Sequence, residues 1–250
     1  MPGVHRAAAE GFERSSASYD RGRPDYPAEA VAKVVALVRA GPGGPVIDLA
    51  AGTGIFSRAL VGARVRPIAV EPVDSMRERL AGSLPDLAVV AATAEAMPFA
   101  DASVGAVTVA QAFHWFDGPR ALAQLATIVR PAAPLVMAFN VRDLHDPIQS
   151  ALEDIWEPYR GTTPTHRSGA WRAALDEQPW FTSLEHASFP HEQRVDAEGL
   201  IDRVLSVSFI ATQTEHEQAR IADRVRTIAA DRPETTIRYR TDVWWSLRRR

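Results

Sequence analysis

Residues 46–56 read Val-Ile-Asp-Leu-Ala-Ala-Gly-Thr-Gly-Ile-Phe, a short apolar run with one acid that passes through a small-residue turn into an amphipathic segment. That order predicts strand, glycine loop and helix. Glycines at 52 and 54 let the backbone approach a ligand where a Cβ would clash, and the helix start that follows offers N–H groups with no intrahelical partner. The stretch therefore commits the chain to an α/β fold with a nucleotide-type cradle. It leaves the ligand open.

From Pro45 to about Asn140 short apolar strands alternate with amphipathic helices. Strands are expected at 45–50, 67–71, 87–91, 104–110 and 134–140, and helices at 54–62, 74–83 and 119–129. This alternation predicts a parallel sheet covered by helices on both faces. Ligands of such sheets sit beyond the carboxyl ends of the strands, so residues 50–54, 71–76, 93–95 and 111–116 should converge.

The flanking segments read differently. The opening to Tyr26 has aromatics and arginines without periodicity, as in an arm that folds over something. Pro27 suits the first turn of a helix whose apolar face is Val31, Val34, Val35 and Val38, with Gly41 ending it. After Asn140 the rhythm breaks. Residues 141–180 are helical in pattern and interrupted by turns, and their large aromatics, Trp156, Tyr159, Trp171 and Trp180, either cover the ligand end of the sheet or form core. Two closing strands are expected at 183–189 and 236–246, with helices near 198–206 and 215–230. The 250 residues suit a single domain, with an arm and first helix (1–40), a ligand-binding core (41–140), a helical insertion or lid (141–182), and C-terminal helices with closing strands (183–250).

Charge and composition narrow the function classes. A formal charge of −3 supplies no broad positive field for phosphate backbones, so a nucleic-acid partner is not expected, and Arg248–Arg250 reads as a solvated tail. With no cysteine, disulfides, thiolate metal sites and a cysteine nucleophile are excluded. The seven histidines are scattered without a ligand spacing, so no metal is expected. No run approaches the roughly 20 apolar residues of a membrane span, and the polar start lacks a signal-peptide core, which makes a cytoplasmic protein the expectation.

Glu71 ends the second strand, 23 positions after Asp48. A carboxylate there accepts from both hydroxyls of a ribose. Dinucleotides and S-adenosylmethionine use similar cradles, but a dinucleotide loop asks for a third glycine, and Ser57 follows Gly52 and Gly54 instead. A pyrophosphate is therefore the poorer fit.

Five motifs carry a resemblance: Asp48-Leu49-Ala50-Ala51-Gly52-Thr53-Gly54, Val70-Glu71-Pro72, Ala94-Glu95-Ala96-Met97-Pro98-Phe99, Gln111-Ala112-Phe113-His114-Trp115-Phe116 and Arg130-Pro131. In this order and spacing the chain resembles the class I S-adenosylmethionine-dependent methyltransferases, in particular the small-molecule group of the ubiquinone-biosynthesis and trans-aconitate enzymes. The resemblance implies a Rossmann-like, seven-stranded, mostly parallel sheet with helices on both faces, an N-terminal arm and a helical insertion after the fifth strand. It implies transfer of a methyl group from S-adenosylmethionine to a small-molecule acceptor, with S-adenosylhomocysteine as product.

Site residues carry over by position. Asp48, Ala50, Gly52, Thr53 and Gly54 correspond to the methionine end, Glu71 and Pro72 to the ribose, and Met76 to the adenine. Thr93, Ala94 and Glu95 fall at the adenine edge, where many relatives have an aspartate in place of Thr93. Alanines at 50 and 51 replace the usual glycine and cysteine, an exchange expected to leave binding intact. Gln111 and Trp115 fall where the methyl group should point, Trp115 facing the sulfonium or adenine or else packing in the core. His114 is the candidate catalytic base, or a buried structural imidazole, or a hydrogen-bond partner of the substrate. Tyr19 closes over the cofactor or packs the arm, and Arg23 pairs with the cofactor carboxylate or an acidic acceptor or packs the arm; His145 and Asp146 are candidates for the border of the acceptor pocket. Three alternatives remain at this level: an RNA or protein methyltransferase, a cofactor-binding protein that catalyses another reaction, and a nicotinamide dehydrogenase.

Overall fold

A computed structural model describes residues 22–229 and 234–250. Five parallel strands form its centre: β1 (Val46–Leu49), β2 (Ile68–Val70), β3 (Val89–Val90), β4 (Ala106–Ala110) and β5 (Pro134–Arg142). Beyond β5 lie β7 (Thr235–Leu247), antiparallel to it, and then β6 (Glu185–Val195), antiparallel to β7. The order is β3-β2-β1-β4-β5-β7-β6, a seven-stranded Rossmann-like sheet with one reversed strand.

Helices cover both faces because the central strands are apolar on both. In β5, Leu135, Met137 and Phe139 join one core while Val136 and Ala138 join the other. The first core includes α4 (Gly118–Ile128) and α6 (Ala170–Asp176), through Leu122, Leu125, Trp171 and Leu175. The second receives α1 (Ala28–Ala40) and α2 (Ile55–Gly62), through Val31, Val34, Phe56 and Leu60. The α1 face is the one its valine spacing predicts, and Gly41 follows its last residue. Between β2 and β3 runs α3 (Asp74–Ser83), with Met76 and Leu80 buried.

The C-terminal half builds a third core. Strands β6 and β7 stay paired from Glu185↔Trp245 to Val195↔Thr235, and at that far end Val195, Ile237 and Tyr239 pack with α5 (Pro147–Arg160), α7 (Ala197–Leu205), α8 (Ser208–Ala211) and α9 (Glu215–Ala229). Strand β6 outruns the expected 183–189. It is an edge strand whose alternate residues face solvent and which contains Pro190, so its sequence reads as polar and interrupted although it pairs throughout.

Two buried acids tie these parts together. Asp48, wholly buried in β1, accepts from Ser57 Oγ at 2.6 Å and Thr108 Oγ1 at 2.9 Å, and so joins β1 to the start of α2 and to β4. Burial raises its carboxyl to about 6 against the pull of both hydroxyls. Asp146 accepts from Ile148 N and Arg238 N, each at 2.9 Å, capping α5 and fastening it to β7. It is buried in this role, and exposed His145 beside it does not line the cleft described below.

Removing the cap and both bonds in Asp146→Ala should cost about 2 kcal/mol in urea denaturation. The folded protein holds the Asp48 proton more tightly than the unfolded chain, so this group favours folding most below about pH 4 and progressively less as pH rises to about 6. Asp48→Asn does not titrate, so its stability relative to the parent should improve by about 2 kcal/mol between pH 4 and 7, measured by denaturation at each pH.

Candidate active site

A cleft opens at the carboxyl ends of β1, β4 and β5, with an empty volume of about 1140 Å³ counted out to its solvent mouth. Its floor is the turn after β1, where Ala50, Ala51, Gly52 and Thr53 line it. Gly52 has φ +58° and nothing within 4 Å of the position a Cβ would take, so the loop leaves open space above its backbone. Gly54, at φ 87°, precedes α2 as its N-cap. Two non-glycine residues share the left-handed backbone here, Ala50 at φ 55° and Gln111 at φ 57°. They stand at the ends of β1 and β4, the strands at which the sheet order reverses, and strained backbone at such a point marks a shaped site.

Glu71 secures the loop from the side of β2. Its Oε2 accepts from Gly52 N and its Oε1 from Val73 N, each at 2.9 Å. It is 5% exposed, and burial raises its carboxyl despite the Val73 and Gly52 N–H groups and nearby Arg77. Each oxygen retains a lone pair for a hydroxyl.

The wall after β4 carries Gln111, His114 and Trp115. Gln111 N donates to Ala138 O at 2.8 Å and its Nε2 to Asn140 O at 3.2 Å, which locks this loop to β5. Buried Asn140 donates in turn to Asp25 O at 2.9 Å and accepts from Thr241 Oγ1 at 2.6 Å, so one amide holds the end of the arm against β5 and β7. His114 packs between Trp115 (ring centroids 5.0 Å) and Phe139 (6.1 Å), with His166 at 6.2 Å. Its Nδ1 is buried without a hydrogen-bond partner. Burial, then His166 and Arg23, push the imidazole down to about 3, so it is neutral at pH 7. His166, lowered to about 4 by burial and by Arg142 and Arg167, is neutral too.

Of the residues singled out from sequence, Arg23, Ala50, Gly52, Thr53, Gln111, His114 and Trp115 line this cleft together. Asp48, Gly54, Glu71 and Pro72 stand behind or beside its floor without lining it. Met76 is buried in α3, and Thr93, Ala94 and Glu95 follow β3, on the far side of β2. Glu95 Oε1 accepts from Asp117 N at 3.1 Å, linking that loop to the start of α4. Tyr19 lies outside the described residues.

The opposite wall carries Arg142, Arg160, Thr163–Arg167 and Arg203; all but Arg203 fall in the 141–180 segment expected to cover the ligand end of the sheet, but none of them was singled out from the sequence as a site residue. Arg142 was accessible: the strand-end rule that selected 50–54 and 111–116 selects the end of β5 equally. Arg203 and His166 had no local signal. Among the described residues, no group of His, Asp or Glu is placed to hold a metal ion, and no helix is long and apolar enough to cross a membrane.

Comparison with known proteins agrees with this architecture. Residues 47–137 match the family model described as a methyltransferase domain. An uncharacterized methyltransferase of Mycobacterium tuberculosis is 33% identical over 227 residues, covering 89% of this chain and 86% of the relative. A methyltransferase-like protein of Schizosaccharomyces pombe is 28% identical over 223 residues, 89% of this chain and 87% of its own. The structure of a putative type II methyltransferase from Anaeromyxobacter dehalogenans shares the fold with a TM-score of 0.64, at 24% identity over 91% of this chain and 97% of that one. With the sheet order and the glycine loop, these similarities identify the chain as a member of the class I S-adenosylmethionine-dependent methyltransferases.

Proposed function

We propose that this protein transfers the methyl group of S-adenosylmethionine to a small-molecule acceptor within the cleft at the ends of β1, β4 and β5. The observation that carries this reading is the open space over Gly52 in a cleft that also holds Gln111, His114 and Trp115. Two more distant relatives bear acceptor names, a demethylmenaquinone methyltransferase of Renibacterium salmoninarum (36% identical over 106 residues) and a malonyl-[acyl-carrier protein] O-methyltransferase of Pectobacterium atrosepticum (32% over 166). Neither name denotes a nucleic acid, which favours the small-molecule reading over an RNA enzyme.

Bound cofactor supplies a sulfonium whose methyl carbon is open to in-line attack. The residues here suit it. The small residues Ala50 and Gly52 leave room for the methionine end, and Glu71 has lone pairs for the ribose hydroxyls. Met76 and the Thr93–Glu95 turn serve the adenine, with Pro72 beside them. Arg23 and Thr53 flank the floor toward the arm, and residues 141–182 act as a cover that excludes water.

His114 is assigned to the acceptor. A neutral imidazole with a free buried Nδ1 orients a substrate by a hydrogen bond, and an imidazole held near 3 is too weak a base to abstract a proton from an alcohol or amine near neutrality. Positioning and exclusion of water are then what the protein contributes to the transfer.

Calorimetry on ligand-stripped protein should give saturable binding of S-adenosylmethionine, and silence at millimolar cofactor would overturn the reading. Glu71→Ala should weaken that binding about 100-fold, since it removes acceptors for two hydroxyls and a tie on Gly52. For His114→Ala, kcat/KM should fall about 10- to 100-fold with its pH profile unchanged in shape between pH 5 and 8; an acidic limb near 6.5 in the parent that vanishes in the variant would instead make His114 the base.

A further inference from the structure

The described lining of the cleft contains five arginines, Arg23, Arg142, Arg160, Arg167 and Arg203, and no carboxylate. Two acids of α5 stand behind them, Glu153 and Glu157. Glu153 forms ion pairs with Arg142 at 2.8 Å and Arg167 at 2.6 Å and also with Arg160, so one carboxylate is shared by three guanidinium groups, of which only Arg160 has a second, exposed acid beside it, Glu157 at 2.8 Å.

Arg142 and Arg203 each leave a buried donor without a partner. Arg142 closes β5 opposite Tyr239 of β7, and Arg203 Nε donates to the Tyr239 hydroxyl at 3.0 Å, which brings the two guanidinium groups together. Both lie over the Trp156 ring, at 4.2 and 5.3 Å from its centroid. Arg203 is 4% exposed and its Nη1 is buried with no hydrogen-bond partner; Nε of Arg142 is likewise unpartnered. Burial, and next to it the charge of Arg203, push Arg142 down to about 9. Leaving buried donors and like charges uncompensated is costly, and an oxyanion relieves both costs by accepting from the guanidinium forks.

The cofactor as a whole does not neutralise that charge. S-adenosylmethionine carries an ammonium and a sulfonium against one carboxylate, so it adds net positive charge to the cleft. We infer that the acceptor is a small oxyanion-bearing molecule, a carboxylic acid or a phosphate ester, whose anionic group docks on Arg142 and Arg203. This rests on the methyl-transfer reading and adds the class of the acceptor. The anion anchors the substrate, and neutral His114 faces the same cleft from the β4 side.

The test is a calorimetric titration of S-adenosylhomocysteine-loaded protein with malonate, with inorganic phosphate and with malonamide as the neutral control. At least one anion should saturate below about 10 mM while malonamide does not. Arg142→Gln should weaken that anion about tenfold or more. Arg142→Lys, which keeps the charge without the fork, should recover part of the loss, and circular dichroism matching the parent establishes that both variants are folded. Saturation by malonate alone assigns a carboxylic acid, and by phosphate alone a phosphate ester. Saturation by neither, equal binding of malonamide, or anion binding only to cofactor-free protein and competitive with S-adenosylmethionine overturns the inference; in the last case the arginines serve the cofactor carboxylate. Failure of the methyl-transfer reading is seen separately, as failure of S-adenosylhomocysteine to bind at all.

Discussion

The structure depends most on a carboxylate with no access to water. Asp48 of β1 faces β4 and α2, and its bonds to Thr108 and Ser57 fix where β1 stops and α2 starts. The glycine loop is the span between those two fixed points. Glu71 then holds the loop from the neighbouring strand through Gly52 N. Buried acids are costly, and burial drives both carboxyls upward, so each is retained at the expense of stability for what it positions. Ser57, which in the sequence counted only against a pyrophosphate, is here the donor that makes the buried Asp48 tolerable.

A second organising device works on the opposite wall. Strands β6 and β7 carry a helical core at their far end, and α5 and α7 of that core bring Glu153 and Arg203 to the end of β5. Trp156 is wholly buried beneath Arg142 and Arg203, so an aromatic face and one shared carboxylate support a group of like charges. The floor of the cleft thus belongs to the sheet and its charged wall to the C-terminal half. These are separate cores, joined along β7 and through Asp146 and Asn140.

Much of the first half was legible. Strands β1, β2, β4 and β5 are buried on both faces and read as apolar runs, and α1 and α4 show one apolar face each. The seven-stranded, mostly parallel sheet agrees with what the family resemblance implies. The end of β6 was not legible, because an edge strand with one face in solvent and a proline at 190 has no uniform pattern. Asp146 sat in a stretch read as a pocket border, whereas its two oxygens are occupied by backbone donors of α5 and β7. Nor does any local rule say that Ala50 and Gln111 adopt left-handed backbone, since alanine and glutamine do not favour it; pairing on both sides of each turn imposes it.

By itself the sequence determined the alternation of strand and helix, the glycine loop, the acid at the end of β2 and the Gln111–Phe116 run, because each depends on residues close together in the chain. Tertiary structure decided which of these share a cleft and what faces them. Arg142, Arg160 and Arg203 belong to no motif in the sequence. The convergence of Arg142 and Arg203 over Trp156 comes from β7 running antiparallel beside β5 and from helices packed at its far end, contacts between segments up to about a hundred residues apart that no local pattern encodes.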